Sequence, residues 1–266
     1  MLKSLLKRFS AKLGYEVSSL TQKMKSNDPL EILQRLLGSE SVRVIIDGGA
    51  SIGDTSAAFC KFFPKATVHA FEPYPPFQER IRTKSLRSPA IRLVPLALAD
   101  KTADSLMRVN ESEGTNSLLK GDLEGKGSIY GDLLKEKGTV SVKTTSLDDW
   151  LDHMKIAQVD ILKLDIQGLE LKAIRGAAES FGKKKILVIL CEIMFRKCYK
   201  EQPSWTELVN EIGRHGYTLY NFFDHQYANG QLRQADGMFF HDSMVESILG
   251  KGERHFHSFS KILKKV

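Results

Sequence analysis

From residue 42 onwards, short apolar segments alternate with longer helical ones, and this alternation constrains the fold more than any other feature. Each apolar segment is a near-continuous run, as expected for a parallel strand that is covered on both faces. These strand candidates are Val42–Ile46, Thr67–Phe71, Arg92–Ala97, Ile161–Leu164 and Ile186–Cys191. Helical spacing is found between them at Asp54–Phe62, Pro75–Leu86, Ser146–Met154 and Leu169–Ser180. The pattern predicts an α/β fold, a Rossmann-like doubly wound and mostly parallel sheet made of right-handed βαβ units.

The last part of this region follows a different pattern. After a predicted helix at Ser204–His215 come two strand-like segments, Thr218–Phe223 and Gly237–His241. The turn signal Asn229-Gly230 lies between them, so the pair forms either an antiparallel hairpin or a short excursion from the sheet. Since many parallel sheets end with one antiparallel strand, we predict that the final strand is antiparallel.

Composition and charge divide the chain into three regions. We expect a helical extension at residues 1–40, a Rossmann-like domain at 41–245 and a basic tail at 246–266. Residues 101–144, which are rich in Gly, Ser, Asp and Lys, are predicted to be an insertion of loops and short strands. The net charge of +7 is concentrated in two basic clusters near the termini, residues 3–25 and 251–265. Such clusters are either solvated ends or contacts for nucleic acid or anionic lipid.

The extension begins with an amphipathic pattern. Apolar residues recur at helical spacing while basic residues occupy the other faces, namely Leu2, Leu5, Leu6, Phe9 and Leu13 against Lys3, Lys7, Arg8 and Lys12. This helix either packs on the domain or a second subunit, or lies on an anionic membrane surface. Further on, Asp28-Pro29 predicts the capped start of another helix that ends at Gly38.

Several features bear on the location of the protein and on metal binding. The longest unbroken apolar run, Ile186–Cys191, is too short to span a bilayer, and the first residues do not form a signal peptide. The three cysteines form no Cys-x-x-Cys pair, and the histidines lack metal-ligand spacing. We therefore expect a cytoplasmic protein with neither disulfides nor a metal site.

A glycine-rich segment follows the first predicted strand. It reads Ile46-Asp47-Gly48-Gly49-Ala50-Ser51-Ile52-Gly53-Asp54-Thr55. Glycines permit a sharp turn and the close approach of a ligand, and the next helix begins with free N–H groups. The spacing is not the G-x-G-x-x-G of dinucleotide sites, and a carboxylate at Asp47 suits a cationic ligand better than a pyrophosphate. A ligand loop and a purely structural turn are both open interpretations.

Carboxylates follow the other predicted strands. Glu72, followed by Pro73, ends the second strand, where it either accepts hydrogen bonds from ribose hydroxyls or caps the next helix. Asp165 and Glu192 end two later strands, while Glu170 has a structural alternative at a helix start. Because ligands of open α/β sheets bind at the carboxyl ends of strands, these acids together predict a ligand site.

Taken in order, these motifs resemble the FkbM-type S-adenosylmethionine-dependent methyltransferase family over roughly residues 42–242. The matching segments are 46–53, 70–73, 96–100, 145–150, 162–170 and 175–177. The resemblance implies the class I methyltransferase fold, S-adenosyl-L-methionine as cofactor and O-methylation of a hydroxyl on a sugar, glycan or natural product. The implied cofactor contacts are Asp47, Gly48, Gly49, Ser51, Gly53, Thr55, Glu72, Pro73, Ala97, Leu98 and Asp165. Asp165 and Glu192 are the candidate catalytic bases.

The chain departs from the family pattern at two positions. Ser51 stands where the family usually has asparagine, and Gln167 where it usually has glutamate. Because glutamine takes no proton at neutral pH, a catalytically inactive Rossmann-like binding module is one alternative. A nucleic-acid methyltransferase is the other, suggested by the basic charge. The chain has no Asn/Asp-Pro-Pro-Tyr type motif and no stacking platform of aromatics, so we expect a small-molecule or glycan acceptor.

Overall fold

The computed structural model of the chain describes residues 28–124 and 130–249. The predicted helices before residue 28, and the basic tail from residue 250, lie outside the described residues. The strands are β1 Val44–Gly48, β2 Thr67–Phe71, β3 Ile91–Val94, β4 Ala97–Leu98, β5 Ala103–Asn110, β6 Glu136–Thr145, β7 Val159–Leu164, β8 Ile186–Met194, β9 Tyr217–Ala228 and β10 Gln231–His241. The α-helices are α1 Pro29–Leu37, α2 Asp54–Phe62, α3 Pro75–Arg87, α4 Leu147–His153, α5 Glu170–Arg175, α6 Ala178–Gly182, α7 Trp205–Arg214 and α8 Asp242–Leu249.

The larger sheet confirms the predicted fold class. Its seven strands lie in the order β3-β2-β1-β7-β8-β10-β9, and the first five pair in parallel. The final strand, β10, is antiparallel to both of its neighbours, as predicted. It turns back from β9 through Asn229 and Gly230, whose φ angles are 51° and 72°. Positive φ at both positions is what a two-residue hairpin turn requires, so the hairpin interpretation is confirmed.

The core forms on both faces of this sheet, because successive residues of a strand point to opposite sides. Ile46, Leu162 and Ile189 pack on the face covered by α4, α5 and α7. On the opposite face, the strand neighbours of these residues pack against α1 and α2. Burial of each such side chain stabilises the fold by roughly 1.5–3 kcal/mol, so the parallel strands are held firmly on both sides. Helix α1 begins as predicted, with the Asp28 side chain accepting a hydrogen bond from the Leu30 N–H at 2.8 Å.

Three predicted elements differ in the structure. The strand predicted to reach Ala97 ends at Val94, because Pro95 has no N–H to donate to the ladder. The helix predicted at Leu169–Ser180 is broken into α5 and α6 at Gly176, where a Cβ atom would lie 2.2 Å from the backbone oxygen of Ala99. The insertion has longer strands than predicted, since β5 and β6 have 8 and 10 residues, and β6 pairs with both β4 and β5 in a second sheet.

Among the residues that the structure describes, no helix is both long and apolar enough to cross a membrane.

Candidate active site

Four strands of the larger sheet bring carboxylates to one edge. Asp47 lies near the end of β1, Glu72 follows β2, Asp165 follows β7 and Glu192 lies near the end of β8. These strands are neighbours and run parallel, so their carboxyl ends meet. The parallel register therefore gathers side chains that are far apart in the sequence.

The glycine-rich loop after β1 packs tightly between β2 and β7. The N–H groups of Gly49 and Ala50 donate to the Phe71 backbone oxygen at 3.1 and 3.0 Å. Gly49 has a φ of 74°, and a Cβ atom there would lie 1.9 Å from the backbone oxygen of Asp165. No side chain fits at that position, so glycine is required for the loop to approach β7 this closely.

Glu72 is buried, and both of its carboxylate oxygens accept a backbone hydrogen bond. Oε2 accepts from the Ser51 N–H and Oε1 from the Tyr74 N–H, each at 2.8 Å. The second bond lies at the start of α3, so the capping role and the position at a ligand site are compatible. Burial raises the pKa of Glu72 to about 7, although these two hydrogen bonds and Lys163 act in the opposite direction. Each oxygen keeps a lone pair for a further donor.

Glu72 lies in the wall of a cleft of about 770 Å³, which we call the Glu72 cleft. Its lining includes seven of the predicted cofactor contacts: Gly49, Ser51, Glu72, Pro73, Ala97, Leu98 and Asp165. The lining also includes Glu113 and Asn116, which lie in the loop after β5. The side-chain Nδ2 of Asn116 is buried and has no hydrogen-bond partner among the described residues. A buried donor without a partner in such a wall points to a ligand that accepts from it.

The other predicted cofactor contacts do not line this cleft. Asp47 is fully buried, accepting from the Ser56 hydroxyl at 2.6 Å and pairing with Lys163 Nζ at 3.2 Å. Its carboxylate is thus paired within the protein, and its direct contact with a cationic ligand stays a prediction. Gly48 and Gly53 support the loop from outside the cleft lining. Thr55 lines a second cavity instead.

Lys163 was missed by sequence reasoning, although it is the one charged side chain inside strand β7 after Asp160. Its ammonium group donates to the backbone oxygens of Gly49 at 2.9 Å and Gly48 at 3.3 Å. Burial alone would lower the pKa of Lys163, but the charges of Asp47 and Asp165 raise it instead. A permanently charged Lys163 therefore ties the glycine-rich loop to β7.

The side chain of Gln167 orients Asp165. Its Nε2 donates to Asp165 Oδ1 at 2.9 Å, and its Oε1 accepts from the Tyr199 hydroxyl at 2.8 Å. Gln167 itself has a φ of 56°. The Ser117 hydroxyl stabilises this conformation by donating a hydrogen bond to the Gln167 backbone oxygen at 2.7 Å. A glutamate could not donate to Asp165, so the departure from the family pattern supplies a hydrogen bond at this position.

A second cavity lies on the α1 and α2 side of the sheet edge, and we call it the Glu192 cavity. Its lining includes Asp54, Thr55, Lys163, Asp165, Glu192, Asp224 and Asp236. Glu192 is 3% exposed, with Oε1 accepting from Gln234 Nε2 at 2.6 Å and Oε2 lacking a hydrogen-bond partner among the described residues. Burial, then the charges of Asp165, Glu170 and Asp236, raise the pKa of Glu192 well above its usual range. The raised pKa favours the protonated form of this carboxyl group, which can donate a hydrogen bond.

Glu170 has the structural role that the sequence allowed. Its carboxylate accepts from the backbone N–H groups of Ile166 and Gly168 at 2.9 and 3.2 Å, and closes the turn before α5. Within residues 28–124 and 130–249, no group of three or more His, Cys, Asp or Glu side chains is arranged to hold a metal ion.

Comparisons with known proteins agree with this geometry. The 2-O-methyltransferase NoeI of Sinorhizobium fredii is 29% identical over 150 residues, which cover 54% of this chain and 61% of that protein. The hexuronic acid methyltransferase AglP of Haloferax volcanii is 24% identical over 182 residues, covering 68% and 69% of the two chains. Among solved structures, the magnesium protoporphyrin IX methyltransferase of Synechocystis PCC 6803 is 8% identical, with a TM-score of 0.44 over 90% of this chain and 96% of that one.

The structural likeness is remote, so the fold assignment rests on the strand order and not on that comparison. The sequence likeness is more informative. The family described as "Methyltransferase FkbM domain" matches residues 47–219, which include the glycine-rich loop and all four carboxylates of the sheet edge. The chain therefore belongs to the FkbM family of S-adenosylmethionine-dependent methyltransferases.

Proposed function

We propose that this chain transfers the methyl group of S-adenosylmethionine to a hydroxyl group of a carbohydrate. One observation carries the proposal: Asp165 lines both the Glu72 cleft and the Glu192 cavity. Methyl transfer requires a donor and an acceptor held in line, with the reacting atoms at a shared boundary. Two cavities that share one carboxylate provide such a boundary.

The Glu72 cleft fits the cofactor. Glu72 has two free lone pairs for the ribose hydroxyls, and Asn116 Nδ2 is a buried donor for a polar group of the ligand. The glycine at position 49 leaves the loop backbone accessible next to Asp165. S-adenosylmethionine, when bound there, supplies a methyl group that its sulfonium already activates. The protein's own task is to orient the acceptor and to remove its proton.

Asp165 suits the role of general base better than Glu192. Its side chain is 42% exposed, lies 3.7 Å from Lys163 Nζ and accepts a hydrogen bond from the Gln167 amide at 2.9 Å. A carboxylate held in this way at the boundary of the two cavities can take the proton of an acceptor hydroxyl. The raised pKa of Glu192 favours its protonated form, so we assign it to donating a hydrogen bond to the acceptor.

The carbohydrate class of the acceptor follows the names of the two relatives, which act on a 2-O position and on hexuronic acid. The chain covers only 61% of the first of these proteins, so the substrate is a proposal of ours. A nucleic-acid acceptor fits poorly, because the carboxylates of the Glu192 cavity would repel its phosphates. An inactive binding module fits poorly as well, since Gln167 supports Asp165 and does not replace it.

The proposal is tested by mixing the full chain with S-adenosylmethionine and a panel of monosaccharide glycosides, and by measuring S-adenosylhomocysteine over time. We expect product in proportion to enzyme with at least one glycoside, and a methyl ether on a hydroxyl oxygen by mass spectrometry. If calorimetry detects no binding of S-adenosylmethionine, the proposed function is wrong.

The variant Glu72→Ala is expected to weaken cofactor binding. It removes two charged acceptors from the ribose, each worth roughly 1.5–3 kcal/mol. The dissociation constant measured by calorimetry should therefore rise by at least about tenfold, the change that 1.4 kcal/mol produces. Unchanged affinity in a folded Glu72→Ala protein would remove Glu72 from the cofactor site.

The pH dependence of binding provides a control for this assignment. Since the pKa of Glu72 is about 7, its carboxylate is largely protonated at pH 6 and largely ionised at pH 8. Only the ionised form accepts from both hydroxyls, so affinity should rise by about tenfold between these pH values. In Glu72→Gln, which does not titrate, this rise should disappear.

We also propose that residues 1–14 hold the protein at the inner, cytoplasmic face of a membrane. The support is the amphipathic pattern of the sequence, in which each basic residue near an anionic surface contributes about 1 kcal/mol. Sedimentation with liposomes tests this proposal. We expect the protein to sediment with anionic vesicles at low salt. It should not sediment with neutral vesicles, nor after deletion of residues 1–14. Absence of sedimentation with anionic vesicles at low salt would contradict the proposal.

A further inference from the structure

The lining of the Glu192 cavity is strongly acidic. Among the residues that the structure describes, it includes six carboxylic side chains and one basic side chain, Lys163, and the acids are Asp28, Asp54, Asp165, Glu192, Asp224 and Asp236. Asp54 is paired with Lys84. Three of the other acids, Asp165, Glu192 and Asp236, lie in or directly after the neighbouring strands β7, β8 and β10. Asp236 lies directly opposite Glu192 in the pairing of β10 with β8. Two strands of the sheet therefore present acids to the same space.

Lys163 is the only basic side chain among the described residues of this lining, and the protein already engages it. Its Nζ lies 3.2 Å from Asp47 Oδ1 and 3.7 Å from Asp165 Oδ2, and it donates to the backbone oxygens of Gly48 and Gly49. The charge of Lys163 is thus already compensated by two carboxylates of the protein. An anionic group that enters the cavity would have to compete with these carboxylates for it.

Glu192 provides an independent sign that a ligand binds there. Its Oε2 is buried without a hydrogen-bond partner in the part of the chain that the structure describes, while Oε1 accepts from Gln234 at 2.6 Å. A buried polar atom without a partner costs roughly 1–3 kcal/mol, so a molecule that pairs with it recovers that free energy on binding. The hydroxyl groups of a sugar both donate and accept, and they match a wall of carboxyl and carboxylate oxygens.

We infer that the Glu192 cavity is the acceptor site. It binds sugars that carry no carboxylate, either neutral sugars or sugars with an ammonium group, and it rejects carboxylated sugars. This inference rests on the proposed function and narrows its substrate class. It separates this chain from the Haloferax relative, which is named for hexuronic acid. A hexuronate would bring a negative charge towards Asp165, Asp224 and Asp236, while the charge of Lys163 is already compensated by Asp47 and Asp165.

Saturation-transfer NMR tests the inference, because it detects weak binding without turnover. The probes are methyl glucoside, glucosamine and glucuronate, each added to the full chain with S-adenosylhomocysteine. We expect saturation transfer to methyl glucoside and glucosamine, and at least about tenfold weaker binding of glucuronate. Asp236→Asn removes one negative charge from the cavity lining, so it should increase the affinity for glucuronate roughly threefold to tenfold. The control Asp104→Asn removes an exposed carboxylate of the smaller sheet and should change nothing.

The location of binding is tested by Ala58→Phe, which adds volume to α2 inside the cavity. We expect it to remove saturation transfer to methyl glucoside, with circular dichroism verifying the fold. If Ala58→Phe does not fold, the change in glucuronate binding on Asp236→Asn locates the site by itself. The inference would be overturned if glucuronate bound as tightly as methyl glucoside, if no probe bound, or if neither variant changed the binding. Failure of the proposed function is distinct, since it appears as absent binding of S-adenosylmethionine.

Discussion

Replacing Gly49 with alanine is expected to destabilise the protein by about 2–5 kcal/mol and to abolish cofactor binding. The added Cβ would lie 1.9 Å from the backbone oxygen of Asp165, an atom that cannot rotate away. Overpacking costs about 1–3 kcal/mol, and a left-handed conformation of a residue with a Cβ adds about 1–2 kcal/mol. Chemical denaturation measures the loss in the free energy of unfolding, and calorimetry measures the loss of cofactor affinity.

Gly230 provides a matched control, because it has nearly the same positive φ as Gly49 without its close neighbour. Its φ is 72°, and beyond its chain neighbours no atom of the described residues lies within 4 Å of the position of a Cβ. Gly230→Ala should therefore show only the conformational cost of about 1–2 kcal/mol, with cofactor affinity intact. Equal destabilisation by the two variants would mean that the contact with β7 is not what requires glycine at position 49.

Asp165→Asn is expected to lower turnover by about 10²–10⁴-fold, the usual contribution of a general base, while changing cofactor affinity by less than about threefold. Asparagine keeps the size of the side chain but takes no proton from an acceptor hydroxyl. The measurements are kcat with the best glycoside of the panel and the dissociation constant of S-adenosylmethionine. A fall in kcat without a matching fall in cofactor affinity assigns Asp165 to the chemical step.

Two controls accompany this variant. Asp104→Asn removes an exposed carboxylate from the smaller sheet and should retain full turnover. Gln167→Ala removes the donor that orients Asp165, so we expect a smaller loss of kcat than for Asp165→Asn, with little change in cofactor affinity. If Asp165→Asn lost turnover and cofactor affinity equally, or failed to fold, Asp165 would have a structural role through its pairing with Lys163.

The elements that sequence reasoning located well are those whose signal is local. Continuous apolar runs identified β1, β2, β7 and β8, because parallel strands bury both faces. The pair Asn229-Gly230 identified the hairpin, because few residues adopt its backbone angles. Chain order alone then places Glu72 and Asp165 at the carboxyl ends of their strands.

The elements that were missed depend on distant neighbours. The break between α5 and α6 is set by contact of Gly176 with Ala99, more than seventy residues earlier in the chain. Strands β5 and β6 consist largely of exposed and half-buried residues, so they lack the apolar runs that revealed the larger sheet. Their identity as strands came from pairing with each other.

The same division applies to the candidate site. The sequence by itself determined which carboxylates reach the edge of the sheet, since strand ends and turns are encoded by residues that are neighbours in the sequence. Only the tertiary structure decided the charge that each one carries. Asp47 is paired with Lys163 from β7, and the pKa of Glu192 is raised by burial first and then by the charges of Asp165, Glu170 and Asp236. Electrostatic interactions depend on distance in space and on burial, and both are fixed only when the sheet has assembled.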